Sequence, residues 1–161
     1  MKSIININQA NLPTRIIENE KGFEAKVNRL GPMIGAKQLG CSIVEVPSGK
    51  KAWPKHSHSV NEEMFLILSG DGTLHYGDNS QPVSEGDLIS CPADIETAHQ
   101  IENTGAEPLR YIALSTLKDP EICHYPDSGK YGFYDNLGDN GKEPFKVLAR
   151  KEDGLDYYDG E

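Results

Sequence analysis

Residues 49–70 read G-K-K-A-W-P-K-H-S-H-S-V-N-E-E-M-F-L-I-L-S-G, and this stretch decides the fold. His56 and His58 stand two apart. On an extended strand alternate side chains share a face, so both imidazoles can reach one point. Ser59-Val60-Asn61 is short and polar enough to turn the chain, and residues 63–68 read as a returning strand with Glu63, Phe65 and Ile67 on one face. A carboxylate on an apolar face is costly unless something neutralises it. A divalent cation shared with the two imidazoles would do so. Glu62 has the opposite parity and points toward solvent.

A third imidazole comes from residues 86–103, G-D-L-I-S-C-P-A-D-I-E-T-A-H-Q-I-E-N. Residues 87–91 form a short strand stopped by Pro92, and residues 97–102 resume it with His99 and Ile101 on one face. The two stretches together resemble the paired motifs of the cupin superfamily, G-x5-H-x-H-x4-E-x6-G and G-x5-P-x-G-x2-H-x3-N. The first fits at Gly49, His56, His58, Glu63 and Gly70, with a gap of six before His56. The second fits at Gly86, Pro92, His99 and Asn103, with Asp94 where glycine is usual and two extra residues before His99. Fifteen residues separate Gly70 from Gly86, as in small bacterial members. The resemblance implies an all-β fold, a double-stranded β-helix (jelly roll, cupin barrel) with N- and C-terminal extensions. It also implies a metal held by His56, His58, Glu63 and His99, and pairing of the chain into a homodimer.

Composition narrows the remaining classes. A chain of 161 residues suits one domain and buries a core without disulfides. A net charge of −9 argues against nucleic-acid binding, which rests on neutralising phosphates with Lys and Arg. No apolar stretch is long enough to span a bilayer, and the opening Met1-Lys2-Ser3 run is too short and polar for a signal sequence. Cys41, Cys91 and Cys123 are odd in number and make no C-x-x-C pair, which suits a reduced cytoplasmic protein. They read as small buried hydrophobes, with Cys91 also a candidate functional thiol near the pocket mouth.

Along the chain, residues 1–36 read as an N-terminal arm. It has a short edge strand at 4–7, a helical spacing at Phe23, Val27 and Leu30, and breakers at Pro13, Gly22, Gly31, Pro32 and Gly35. Residues 37–118 carry the strand texture of the barrel: 39–44, 52–58, 63–68, 73–76 with a hairpin turn at 77–80, 81–84, the second ligand pair, and 109–116. Residues 119–161 are rich in Gly and Pro, including Gly138 and Gly141, and contain one plausible strand at 146–150. Their interleaved aromatics, Tyr125, Tyr131, Phe133, Tyr134, Tyr157 and Tyr158, call for burial, so this C-terminal extension is expected to pack on the barrel.

Three neutral imidazoles and one carboxylate suit a divalent first-row metal ion: manganese, iron, nickel, cobalt or zinc. Four protein ligands on an ion that accepts six leave two places open, which is the catalytic type of site. The function that follows is a small-molecule metalloenzyme, a sugar or sugar-phosphate isomerase or a dioxygenase. The alternative is a non-catalytic barrel that binds or senses a small ligand. A phosphate would want a basic clamp, for which Lys50, Lys51, Lys55 and Arg110 are candidates. No general base is identifiable. His75 and His124 read as ordinary hydrogen-bonded histidines, Asn103 as the tie of the turn after its strand, and Trp53 as packing that can flank a pocket.

Overall fold

Period-two alternation builds the largest sheet of the computed structural model, which describes residues 3–8, 11–135 and 144–161. Its strands are β1 (Arg15–Glu18), β2 (Glu24–Arg29), β3 (Leu39–Val46), β5 (Glu63–Ser69), β8 (Leu88–Cys91) and β10 (Leu109–Thr116), ordered β1-β2-β3-β10-β5-β8 and antiparallel throughout. Val44 and Val46, Phe65 and Ile67, and Leu109 and Tyr111 are buried at alternate positions, so one face of the sheet is apolar. A three-stranded sheet of β6 (Gly72–Tyr76), β7 (Asn79–Val83) and β9 (His99–Glu102) contributes Leu74, Val83 and Ile101 to the same core. The third sheet orders β13 (Phe145–Arg150), β12 (Lys130–Asp135), β11 (Glu121–Tyr125) and β4 (Ser57–His58).

The motif glycines have a steric reason. Gly70 ends β5 at φ 84°, and a Cβ there would stand 2.6 Å from the Pro108 carbonyl oxygen. Both the left-handed backbone and the close approach demand glycine. Gly86, at φ 93°, opens the second motif in the same backbone region.

Several expectations change. The helical spacing in the arm is a strand: Ala25 and Val27 alternate into the core on β2, and the 4–7 segment is not a strand. The window was short, and periods of two and 3.6 both fit it. A turn at 19–23, in which the Asn19 side chain accepts the Lys21 amide at 2.9 Å, brings β1 back on β2. The expected strand at 52–58 keeps regular ladder pairing at Ser57 and His58 and a single bridge at His56, because Pro54 removes a backbone donor. That strand and β5 do not form a hairpin, since β4 pairs with β11 and β5 with β8 and β10. Within the extension Tyr157 and Tyr158 are 86% and 75% exposed and rest edge-to-face on each other, so the burial expected of them does not occur. The Gly138 and Gly141 breakers lie outside the described residues.

Candidate metal centre

One side chain from each sheet meets in the middle. β4 supplies His58, β5 supplies Glu63 and β9 supplies His99. His56 joins through a backbone bridge to His99, with His56 N–H donating to the His99 carbonyl at 3.0 Å and the reverse bond at 2.7 Å. Around Glu63 Oε2 lie His99 Nε2 at 2.9 Å, His58 Nε2 at 3.4 Å and His56 Nε2 at 3.9 Å. The ligand atoms of all four residues fall within 4.8 Å of one another. The structure therefore brings together all four residues expected from the sequence. Glu62 is exposed and faces away, its amide donating to Thr116 Oγ1 at 3.1 Å.

The outward ring nitrogens of His56 and His58 are held. His56 Nδ1 donates to the Pro54 carbonyl at 2.8 Å, which leaves Nε2 to face Glu63 with its lone pair. His58 Nδ1 lies 3.4 Å from Cys123 Sγ and 3.5 Å from Glu121 Oε2. His58 Nε2 is buried and has no hydrogen-bond partner. A buried nitrogen without a hydrogen bond, its nearest acceptor Glu63 Oε2 3.4 Å away, is costly, and a cation among these donors fits. Phe65 and Tyr125 wall the cluster, Phe65 tilted 5.7 Å from His99 and Tyr125 stacked 6.0 Å from His56.

Charge in the cluster follows from crowding. Burial, with the neighbouring His99, pushes the His56 pKa down to about 4. Burial alone would lower His58 as well, but Cys123, Glu121 and Glu63 around it outweigh burial and raise it. Burial would raise Glu63, and its contacts with His58 and His99 reverse this and hold it well below the usual carboxylate range. Burial, with Glu63 adding to it, pushes the Cys91 thiol up to about 12, so this 2% exposed residue packs as a neutral hydrophobe rather than offering a reactive thiolate.

The strand after Lys118 supplies residues that sequence reasoning missed. Glu121 is buried, and its carboxylate accepts from Ser59 N, Ser59 Oγ, Val60 N, Asn61 N and Asn61 Nδ2. It thus fastens the 59–61 turn that carries the chain from His58 to Glu63. Glu121, Cys123 and Tyr125 alternate on one face of β11, a period-two signal hidden by the surrounding prolines and glycines. His58, Glu121 and Cys123 form a second group with metal-ligand chemistry. Its carboxylate oxygens are already occupied by the turn, so the unspent donors belong to the first group.

Other candidates separate cleanly. His75 bonds Glu102 at 2.8 Å and Ser80 at 2.9 Å, and His124 stacks on Tyr131 at 4.6 Å; both lie outside the cluster. Asn103 is fully buried, donating to the Val46 and Glu107 carbonyls at 2.8 and 2.9 Å and accepting the Gly105 amide at 3.0 Å. Asp94 closes its own turn by accepting the Glu96 amide at 3.0 Å and Thr97 Oγ1 at 2.6 Å, which absorbs the two extra residues before His99. A cavity of about 210 Å³ opens onto His56 and Glu63, lined also by Trp53, Phe65, Arg15 and Arg29.

Three sheets and a His3Glu cluster define a β protein whose centre could hold a metal ion. Residues 42–115 match the cupin-domain family, and this stretch relates the chain to the cupin superfamily. A solved structure of a proposed sugar phosphate isomerase from Acidithiobacillus ferrooxidans is 27% identical, with a TM-score of 0.73 over 83% of this chain and 81% of that one. An uncharacterized protein of Methanocaldococcus jannaschii is 37% identical over 50% of this chain and 62% of its own length. The oxalate-binding protein of Thermotoga maritima is 36% identical over 38% of this chain and 50% of its own length. The chain thus spans roughly half to three-fifths of these two curated relatives. Among the described residues no helix is long and apolar enough to cross a membrane.

Proposed function

We propose that this protein is a metal-dependent enzyme acting on a small oxygenated molecule, an isomerase of the sugar or sugar-phosphate kind. His56, His58, Glu63 and His99 hold a divalent first-row ion in a double-stranded β-helix spanning residues 37–118, flanked by the arm and the C-terminal extension. The carrying observation is the convergence of three imidazoles on Glu63 Oε2, with His58 Nε2 buried and making no hydrogen bond 3.4 Å from it. Such an ion, when bound, would polarise a carbonyl or hydroxyl oxygen. The protein's own part is to keep the His56 tautomer through Pro54, to hold His58 against Glu63 through the Glu121-fastened turn, and to exclude water with Phe65 and Tyr125. The similarity to the Acidithiobacillus protein supports the isomerase reading over an oxygenase.

A second reading, a barrel that binds a small ligand without turning it over, draws on the oxalate-binding relative. One assay separates the two. Protein loaded with Mn²⁺ is incubated without oxygen against a panel of aldose and ketose phosphates and followed by ¹³C NMR. Interconversion that stops with EDTA and returns with metal supports the isomerase. Stoichiometric ligand binding without any conversion supports the second reading. Turnover unaffected by chelation would end the metal-dependent proposal.

A further inference from the structure

The cavity above the cluster carries two guanidinium groups that the metal site does not use. Strand register places them. Glu63 stands opposite Ser115, and Phe65 opposite Ala113, on β5 and β10. Ala113 stands opposite Ser42, and Ser42 opposite Arg29, across β3 and β2. One row further, Ile67, Tyr111, Val44, Val27 and Arg15 stand in line across the sheet. Paired residues share a face, so Arg29 and Arg15 stand on the same face as Glu63, toward the β1–β2 edge of the sheet. Arg15 pairs with Val27, two residues before Arg29, which makes the two arginines diagonal neighbours at about 7–8 Å. Both line the cavity of about 210 Å³ that reaches His56 and Glu63, a volume worth about seven waters' share of liquid.

Neither side chain has a hydrogen-bond or ion-pair partner among the described residues. The contrast with the cations first expected to clamp a phosphate is direct. Lys50 pairs with Glu24 at 3.5 Å, Lys51 with Glu102 at 3.6 Å, Lys55 donates to the Gly77 carbonyl at 2.5 Å, and Arg110 donates to the Ile7 carbonyl at 2.9 Å. None of those four lines this cavity. On the outer face of β2, Lys26 is likewise satisfied by Glu45 at 3.0 Å. Two unpaired planar forks facing one cavity in a chain of net charge −9 make a local site for a negative group.

We infer that Arg15 and Arg29 form an oxyanion clamp, so that the substrate or ligand is a small molecule with a phosphate or carboxylate at one end and a hydroxyl or carbonyl oxygen at the other. The anionic end sits between the two arginines at the sheet edge, and the oxygen end reaches past Phe65 to the His56–Glu63 side of the cavity. Ser42 and Ser115 offer hydroxyls along the way. This rests on the reading of the cluster as the metal site, and it assigns the N-terminal strands a binding role rather than a purely packing one.

Calorimetry on the full chain tests it, with Mn²⁺ titrated first and glucose 6-phosphate, glucuronate and glucose titrated into the loaded protein. The wild type is expected to bind at least one of the two anionic sugars about tenfold or more tightly than glucose, and which one is held identifies the phosphate or the carboxylate arm. The Arg15→Gln/Arg29→Gln double variant is expected to lose that preference while its Mn²⁺ affinity and melting temperature stay at the wild-type values, since neither side chain makes a hydrogen bond or ion pair with the described residues. The Arg15→Lys/Arg29→Lys variant is expected to keep part of the preference, because charge remains and the fork is lost. Anion binding unchanged in the Gln variant, or no preference of the loaded wild type for either anion, overturns the clamp. Failure of the wild type to bind Mn²⁺ would overturn the metal reading instead, a separate result.

Discussion

Glu121 Oε1 stands 2.8 Å from the Ser59 amide, across sixty-two residues of chain, and through that contact the C-terminal extension sets the geometry of the candidate metal centre. The same carboxylate accepts from Val60 and Asn61, while Asn61 Oδ1 accepts the Lys118 amide at 2.7 Å and Thr116 Oγ1 at 2.9 Å. The turn between His58 and Glu63 is therefore pinned from both sides. Replacing Glu121 with Ala leaves buried amides without an acceptor, a loss of about 2–4 kcal/mol in urea unfolding. Because His58 loses its support, the affinity for Mn²⁺ is expected to fall about 10–100-fold in calorimetry. Glu121→Gln keeps the shape with one acceptor fewer and should fall between. A variant as stable and as tight for Mn²⁺ as the wild type would remove Glu121 from this role.

Acid should loosen the metal-free fold in two stages of the same sign. His56 has its folded pKa lowered from 6.5 to about 4 by burial foremost, so between those values the unfolded chain binds the extra proton. Stability is complete on this account above 6.5 and declines as pH falls toward 4. Glu121, which burial would raise but which the His58, Ser59 and Asn61 contacts bring down from 4.5 to about 2, adds a second decline between those values. His58, raised, works in the opposite sense, since its contribution is present below its unfolded pKa and fades as pH rises through the folded one. Urea unfolding of EDTA-treated protein from pH 8 to pH 2.5 reads this out. Comparison with Glu121→Gln should shrink the lower stage and spare the upper, the remainder of the lower stage coming from Glu63, which its contacts with His58 and His99 also hold below the usual carboxylate range.

Much of the site could be read from the chain because ligand spacing and strand parity are local. His56 and His58 at a separation of two, and Glu63 in phase with Phe65 and Ile67, need no tertiary information. What escaped reading is long-range. β4 has only two residues and gains its partner from β11, whose Glu121-Ile122-Cys123 alternation is too short to outweigh Pro120 and Pro126. Arg15 and Arg29 gain meaning only when β1 and β2 add to the sheet edge. That pairing is decided by core burial of Ala25 and Val27 rather than by any spacing in the arm.

The four-residue cluster predicts metal content directly. Wild-type protein purified with added Mn²⁺ and desalted is expected to hold about one ion per chain by plasma mass spectrometry, and His56→Ala and His99→Ala less than about a tenth of that. His75→Ala should retain the full amount, because His75 is engaged with Glu102 and Ser80 on the three-stranded sheet. Equal metal in all three variants would remove the ligand assignment.

Asn103 separates a structural tie from a ligand contact. Its side chain is fully buried and bridges the Val46 and Glu107 carbonyls and the Gly105 amide, joining β3 to the turn that follows β9. Asn103→Ala strands those groups without water and should lower the unfolding free energy by about 2–4 kcal/mol. His99 reaches the cluster from the other end of β9 and keeps its reciprocal backbone bonds with His56, so metal stoichiometry should not change in the folded fraction. Asn103→Asp restores the acceptor but sets a carboxylate against two carbonyls, and should be at least as destabilising at pH 7 as the Ala variant. Loss of metal from a fully folded Asn103→Ala, at unchanged stability, would move this residue from the frame of the site into the site itself.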